Sequence, residues 1–305
     1  MSHRFSVVIP SRSRPDLLRV CLESGLRLAP PGTEWLVVDD GSADGVVSSV
    51  AASLAEVRVL RLDSPAGFCV AANAGVRAAA GEIVQILNDD TEPEAGWAEA
   101  ALARFDDPGI VAVTPLVLMH ADPSRIDSAG DEYLSAGVAR KRWHGQALAE
   151  SHLQPGPVFG ASGSASFFRR EAFLRGGGFP EEFAAYFDDI DLSFRLNRLG
   201  RVWYEPASRV RHRVSSSYGL PSGELLALQS RNEELLYWRN LPAPALLGWL
   251  PAHLAVLAAK ALRRTCEGQL LPWLRGKLSV LGWAARIRRH RRAVFTRPSC
   301  PMSSC

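Results

Sequence analysis

Short apolar runs recur along the first 120 residues, and each ends in polar or acidic positions. FSVVI, Phe5 to Ile9, predicts a buried strand that runs into the polar loop PSRSRP. PDLLRVCLESGL then spaces Leu17, Cys21 and Leu22, with Leu18 and Leu26, at helical intervals, and Pro15 suits a first turn. EWLVVDDGSADG predicts a second strand that stops in a turn of Asp, Gly and Ser; VRVLRLD predicts a third, EIVQILNDD a fourth and GIVAVTPLV a fifth. Between them, NAGVRAAAG predicts a small-residue helix closed by Gly81, and residues 94–105 predict another. Strands alternating with helices of this length imply an α/β chain with a mostly parallel sheet and helices on both faces.

The rhythm weakens between Met119 and Gln154. Beyond it, PVFGASGSASFFRREAF predicts a strand rich in small residues, with Arg169 and Arg170 either solvated or paired to acids. DDIDLSFRLNRLG predicts a helix with Leu192, Leu196 and Leu199 on one face and Gly200 as its stop. RVWYEP predicts a short strand with Trp203 in the core, and residues 224–239 an amphipathic helix. Two more helical stretches follow, 243–264 and 268–295, interrupted by Pro251 and Gly282.

The overall composition is that of an ordinary globular chain, at 47% hydrophobic and 22% charged. Charge is unevenly placed. Residues 1–259 carry 31 acids against 24 bases, whereas residues 260–305 carry Glu267 alone against eleven Lys or Arg. A basic end on an acidic body points to an anionic partner such as a membrane surface, or to a merely solubilising tail. Cys21, Cys69, Cys266, Cys300 and Cys305 have no zinc spacing, and an odd, scattered set argues against a disulfide framework. With a start, MSHRFSVVIP, that enters a strand with no signal-peptide core, this reads as a chain of the reducing cytoplasm.

In an open parallel sheet, ligands bind beyond the carboxyl ends of the strands. Four such ends here are polar: Pro10 to Arg14, Asp39 to Ser42, Asp63 to Ser64, and Asn88 to Asp90. No GxGxxG follows the first strand and no GxxxxGK[ST] occurs, which disfavours a dinucleotide site and excludes a P-loop. Asp39 either accepts a hydrogen bond from a pyrimidine or ribose or caps its own turn through Ser42. The adjacent Asp89 and Asp90 repel each other, and either a turn or a divalent cation accounts for them. Asp188, Asp189 and Asp191 open a helix, where acids suit the helix dipole and Asp191 has Arg195 at i+4 as a surface partner. Three acids in four residues equally suit a general base.

SVVIPSRSRPDLLRVCLESG, VVDDGSADG, NAGVRAAAGEIVQILNDD and FDDIDLSFRLNRLG, in this order and spacing, resemble the sugar-nucleotide-dependent family 2 glycosyltransferases of GT-A fold. Bacterial rhamnosyltransferase-like cell-envelope enzymes look nearest. The resemblance spans residues 4–240, with a nucleotide-sugar half to about 118, an acceptor half from 119 and a basic helical tail over 241–305. It implies that Asp39 holds the base, that Asp40 lies near the ribose, and that Pro10, Ser11, Arg14 and Asn73 line the donor site. It puts NDD in the place of the DxD-type motif: Asn88 at the first position, Asp89 by the ribose or a metal-bound water, and Asp90 as ligand of Mg²⁺ or Mn²⁺. Gly163 and Ser164 would line the sugar pocket. Asp189 would be the base, with Asp188 replacing the family's Glu and Asp191 also on the acceptor side. His212 would reach the metal or the diphosphate.

The activity so implied is inverting transfer of a hexose or deoxyhexose to a glycan or lipid-linked acceptor, from dTDP-rhamnose before UDP- or GDP-sugars. A non-catalytic sugar-nucleotide-binding or scaffold protein is the alternative, and joint retention of Asp39, Asp90 and Asp189 argues against it. Nucleic-acid binding has no aromatic-laced basic motif behind it and an acidic body against it. In the tail, the uncharged run Asn240 to Ala259 is long enough to span a bilayer, but its interior prolines, Gly248 and His253 argue otherwise. LLPWLRGKLSVLGWAARIRRHRR mixes Leu and Trp with bases in the manner of an interfacial helix. The expectation is peripheral association with the inner face of the cell membrane, against packing on the domain or a homodimer contact.

Overall fold

The structure, a computed structural model, describes residues 4–213 and 222–295. The last ten tail residues, with Cys300 and Cys305, lie outside the described residues. The chain divides into two compact units: one runs to Glu132 and resumes at Lys141, and the other joins Tyr133–Arg140 to the C-terminal helices. The sequence reading draws its boundary at residue 240, whereas the contacts group the helix over 222–240 with the tail.

In chain order the first unit contains β1 (Phe5–Ser11), α1 (Pro15–Leu28), β2 (Glu34–Asp39), α2 (Val46–Ala52), β3 (Val57–Arg61), α3 (Phe68–Ala78) and β4 (Ile83–Ile86). It continues with β5 (Thr91–Pro93), α4 (Trp97–Leu102), β6 (Ile110–Met119), β7 (Ile126–Ser128) and the hairpin β8 (Asp131–Leu134) and β9 (Val138–Lys141), whose tip belongs to the other unit. It ends with β10 (Gly156–Val158), β11 (Phe167–Arg169), α5 (Arg170–Arg175), α6 (Asp188–Leu196) and β12 (Arg201–His212). Strands β3, β2, β1 and β4 lie side by side, all parallel. Ser11 stands opposite Asp39, and Asp39 opposite Arg61, so the polar strand ends share one edge.

Past β4 the sheet is mixed rather than mostly parallel. β11 lies antiparallel between β4 and β6, while β12 runs parallel to β6 and takes β10 and β5 antiparallel. A parallel neighbour needs a crossover connection. β11 is reached instead by a loop, residues 159–166, that comes in from the carboxyl-end side, so it runs backwards. The small-residue segment predicted as strand is that loop. α3 stops at Ala78, before Gly81. Gly81 serves β1: its N–H donates to Ser6 Oγ at 2.8 Å, where a Cβ would collide. β12 is twice the predicted length. It continues through Pro206 because its pairing with β6 shifts register between Glu205 and Arg209, which excuses the missing N–H. Arg169 and Arg170 contact no acidic helix; they donate to the carbonyls of Phe105, Asp107 and Ile110 and of Val76 and Arg77.

The core of the first unit packs Leu18, Cys21 and Leu22 of α1 with Trp97 and Phe105 against Phe5, Val7, Ile9, Trp35 and Phe167 of the sheet. On α3, Gly75 permits close approach to the strands. A Cβ built there would lie 2.3 Å from Val8 Cγ1 and 2.8 Å from Val38 Cγ2. In the second unit, α7 (Ser222–Asn240), α8 (Ala243–Cys266), α9 (Leu270–Ser279) and α10 (Ala284–Phe295) follow one another. Pro251 sits inside α8 without ending it, on an exposed side where water can serve the freed carbonyl. Gly282 lies in a single 3₁₀ turn that separates α9 from α10.

Gly75→Val is expected to lower unfolding stability in urea by about 1–3 kcal/mol through overpacking between α3 and the sheet. Unchanged stability would contradict the close approach.

Candidate active site

Asp39 ends β2 with its carboxylate fully buried. It accepts from the Ser42 N–H at 2.7 Å, the Ser42 hydroxyl at 3.0 Å, both the N–H and hydroxyl of Ser48, and Arg61 at 2.7 Å. Burial opposes its ionisation, but these donors outweigh it and hold the carboxyl below the usual range. The capping reading of Asp39 through Ser42 is therefore a feature of the fold. Asp40 accepts from the N–H groups of Ala66 and Gly67 at 2.7 and 3.0 Å and so shapes the loop after β3. Asn73 lies on α3, where its amide is committed to Phe179 in both directions and to Glu181.

Asp89 and Asp90 follow β4, both buried. The Ser11 hydroxyl, one residue beyond Pro10 on β1, donates to Asp89 Oδ2 at 2.6 Å and ties two strand ends together. Burial, with Asp90 beside it, still raises the Asp89 carboxyl to about 6. Asp90 meets two cations: Arg14 Nη1 at 3.6 Å on Oδ2 and His212 Nε2 at 3.1 Å on Oδ1. The backbone of Asn88 donates to the Ser164 carbonyl at 2.8 Å, which brings the 159–166 loop to the same place.

His212 comes from the far end of β12, and its Nδ1 lies 2.9 Å from Asp127 Oδ2. Burial alone would lower its pKa, but the hydrogen bonds to Asp127 and Asp90 hold it up to about 9. Asp127, on β7, also takes both carboxylate contacts from Lys141 Nζ at 2.9 Å, and His144 binds its carbonyl at 2.8 Å. Asp127, Lys141 and His144 all fall where the sequence rhythm weakens. The only local signal was a polar pair, Asp127 and Ser128, after an isolated Ile.

Asp188, Asp189 and Asp191 open α6. Three of the four preceding residues, Ala184, Tyr186 and Phe187, have left-handed φ, between 63° and 66°. Such conformations cost about 1–3 kcal/mol each and mark a segment whose geometry is imposed by its surroundings. Asp189 is half-buried; it accepts from Gly163 N–H at 2.9 Å and from its neighbour Ile190 N–H at 2.8 Å. Burial raises its pKa despite these bonds. Asp188 is raised further, by burial and then by Asp189. Asp191 does pair with Arg195, at 2.7 Å, but the pair is buried rather than a surface feature. A fourth acid, Asp131 on β8, is buried in the field of Asp189, and its Oδ2 has no hydrogen-bond partner among the described residues. Gly163 and Ser164 thus link the two acidic groups: Gly163 binds Asp189, and Ser164 binds the backbone of Asn88.

The model for glycosyl transferase family 2 matches residues 6–177. The chain belongs to that family. A pre-mycofactocin glycosyltransferase of Mycobacterium tuberculosis is 32% identical over 217 residues, 69% of this chain and 43% of its own length. The chain thus spans less than half of that relative. An N-acetylglucosaminyl-diphospho-decaprenol L-rhamnosyltransferase of the same species is 27% identical over 77% of this chain and 86% of its own length. Among solved structures, GalNAc-T7 with UDP, GalNAc and Mn²⁺ aligns with TM-score 0.60 and 17% identity, over 78% of this chain and 50% of that one. The mannosyltransferase PcManGT of Pyrobaculum calidifontis, with GDP-Man and Mn²⁺, aligns with TM-score 0.57 and 22% identity, over 95% and 84%. These structures share the fold: a mixed sheet flanked by helices, of GT-A type, here with a C-terminal helical extension.

Among the described residues no three His, Cys, Asp or Glu side chains form a complete metal cage. The donors present at β4 are the buried Asp90 and the His212 imidazole. That set fits Mg²⁺ or Mn²⁺ of the kind that binds one or two protein groups and leaves its other positions to water and phosphate.

Asp127→Ala removes the acceptor shared by His212 and Lys141. Loss of one partner from so buried a group is expected to cost at least about 2 kcal/mol in denaturant unfolding. Asp127→Asn, which still accepts from His212, is expected to cost less. Equal, negligible costs for both would contradict the clamp.

Proposed function

We propose that the chain is an inverting, metal-dependent glycosyltransferase. It moves a hexose or deoxyhexose, rhamnose first, from a nucleoside diphosphate to a cell-envelope glycan or lipid-linked acceptor. The observation that carries this reading is the buried Asp89–Asp90 pair at the end of β4, tied to β1 by Ser11 and faced by His212 from β12. The rhamnose preference is supported by the relative named above as an L-rhamnosyltransferase, which the chain matches over most of that protein's length.

In this reading Pro10, Ser11, Asp39, Asp40 and Asn88 shape the base and ribose site. Arg61 is the more exposed of the Asp39 partners, and it is the donor that yields to the base. Asp90, and His212 once it has given up its Nε2 proton, would hold the divalent ion, which would supply positive charge to the leaving diphosphate. Arg14 adds a fixed cation beside Asp90. Asp189 takes the proton of the acceptor hydroxyl as the sugar carbon is attacked from the opposite face. Gly163 N–H orients the Asp189 carboxylate, and burial keeps it basic. A scaffold protein that only binds sugar nucleotides has no need of a base held this way. The chain is placed at the inner face of the cell membrane, peripherally, through its basic helices.

Asp189→Asn is expected to lower turnover roughly 10²–10⁴-fold while donor affinity stays, as read by steady-state kinetics beside calorimetry. A collapse of donor affinity with turnover intact would remove Asp189 from the role of base. The base works only when ionised, and burial has raised its pKa. Turnover is therefore expected to fall with acidification while ordinary Asp side chains, near 3.9, remain charged. A profile flat down to about pH 4 would contradict this. Asp90→Asn is expected to abolish Mn²⁺-dependent nucleotide binding, and full activity after exhaustive chelation would exclude the metal.

A further inference from the structure

α8 has the length and composition of a bilayer-crossing helix: 24 residues, mean hydropathy 1.5 in its most apolar window, and 6% of that window buried. Its two sides differ in kind. Leu247, Pro251, Leu254, Ala258 and Leu262 recur at helical spacing along one side, with no charge among them. The three leucines are 67%, 55% and 69% exposed.

The opposite side is a polar seam. His253 is buried and stacks parallel on Tyr237 at 3.7 Å. Its Nδ1 donates to the Ala136 carbonyl at 2.9 Å, and its Nε2 lies 3.0 Å from Glu234 of α7. Two turns on, Lys260 pairs with Glu233. Lys277 of α9 reaches Glu233 at 3.2 Å and Glu234 at 3.1 Å. Burial would raise the Glu234 carboxyl, but His253 and Lys277 hold it down to about 2, so it stays charged. α7 itself carries Arg231 and Arg239 besides these glutamates.

A helix so fastened cannot cross a bilayer alone. Either α7 follows it with its charges into hydrocarbon, or the seam breaks and leaves His253 and Lys260 there unpaired. Both are costly. A helix in the plane of the surface keeps the seam and still removes its leucines from water. The charge nearby selects the surface. α10 carries Arg286, Arg288, Arg289 and Arg292 with no acid, and α9 and its following turn expose Leu271, Leu278 and Leu281.

We propose that α8 lies in the plane of an anionic phospholipid surface, with the Leu247–Leu254–Leu262 stripe in the headgroup boundary and the His253–Lys260 side locked to α7. This rests on the peripheral reading given above and adds the orientation and the face.

The test uses the full chain with vesicles of phosphatidylglycerol and phosphatidylcholine, and with phosphatidylcholine alone. Flotation is expected with the anionic vesicles only, with release by alkaline carbonate. Leu254→Glu with Leu262→Glu is expected to weaken vesicle binding by about tenfold or more, while melting temperature and transfer to a water-soluble acceptor stay unchanged. Resistance to carbonate would overturn the in-plane orientation in favour of a crossing helix. Salt-labile flotation unaffected by the two substitutions would leave the peripheral reading standing on the basic residues and sink the proposed face. No flotation at all would sink both. A dimer in light scattering that the two substitutions split, without vesicle binding, would give the stripe to a second copy of the chain.

Discussion

Two adjacent carboxylates, Asp89 and Asp90, are buried at the end of β4, and much of the first unit is arranged around holding them there. Like charges side by side in a poorly hydrated place resist ionisation, as the raised Asp89 carboxyl records. Each strand end around them supplies part of the compensation. β1 contributes the Ser11 hydroxyl, the loop into α1 contributes Arg14, and β12 contributes His212. His212 is itself fixed by Asp127 on β7. This is why β12 has to run past Pro206 to its twelfth residue: a strand that stopped at Pro206 would leave Asp90 without its imidazole.

The acids at the start of α6 and on β8 are balanced differently. Among the described residues, only Asp191 of these acids has a close guanidinium, Arg195. Burial raises the pKa of Asp188, Asp189 and Asp131; Asp189 raises the other two further, and Lys141 draws Asp131 and Asp189 partly back. Asp189 alone of the three keeps partial exposure, with Gly163 and Ile190 N–H groups on its two oxygens. Under the proposed function, the cations beside Asp89 and Asp90 would neutralise charge while Asp189, kept basic by burial, would remove the proton. The loop over 159–166 touches both through Ser164 and Gly163, so the two ends share one support.

The parallel half of the sheet was legible because each of its strands is a mainly apolar run closed by polar turn residues. FSVVI, EWLVVDD and EIVQILNDD carry both the element and the site at its end. The antiparallel part was not. β5, β7, β10 and β11 are three residues long, too short for any period to register, and their pairing is decided by which loop delivers them. Asp127, Asp131 and Lys141 were missed for that reason: their importance comes from partners 14 to 85 positions away, not from neighbours. Asp39 was legible as an acid at a strand end but not as a saturated one, because Ser48 and Arg61 reach it only through the fold. The two-sided character of α8 was likewise hidden, since a single His and Lys in an apolar run look like blemishes until Glu233 and Glu234 stand opposite them.

The central claim is that the Asp89–Asp90 end of β4 and His212 form the seat of a metal–diphosphate complex. A crystal grown with Mn²⁺ and a nucleoside diphosphate, with anomalous differences collected at the manganese edge, tests it most directly. The account predicts one anomalous peak coordinated by the Asp90 carboxylate, His212 Nε2 and the diphosphate. A peak among Asp188, Asp189 and Asp131 instead, or a nucleotide bound with no manganese at Asp90, would contradict it.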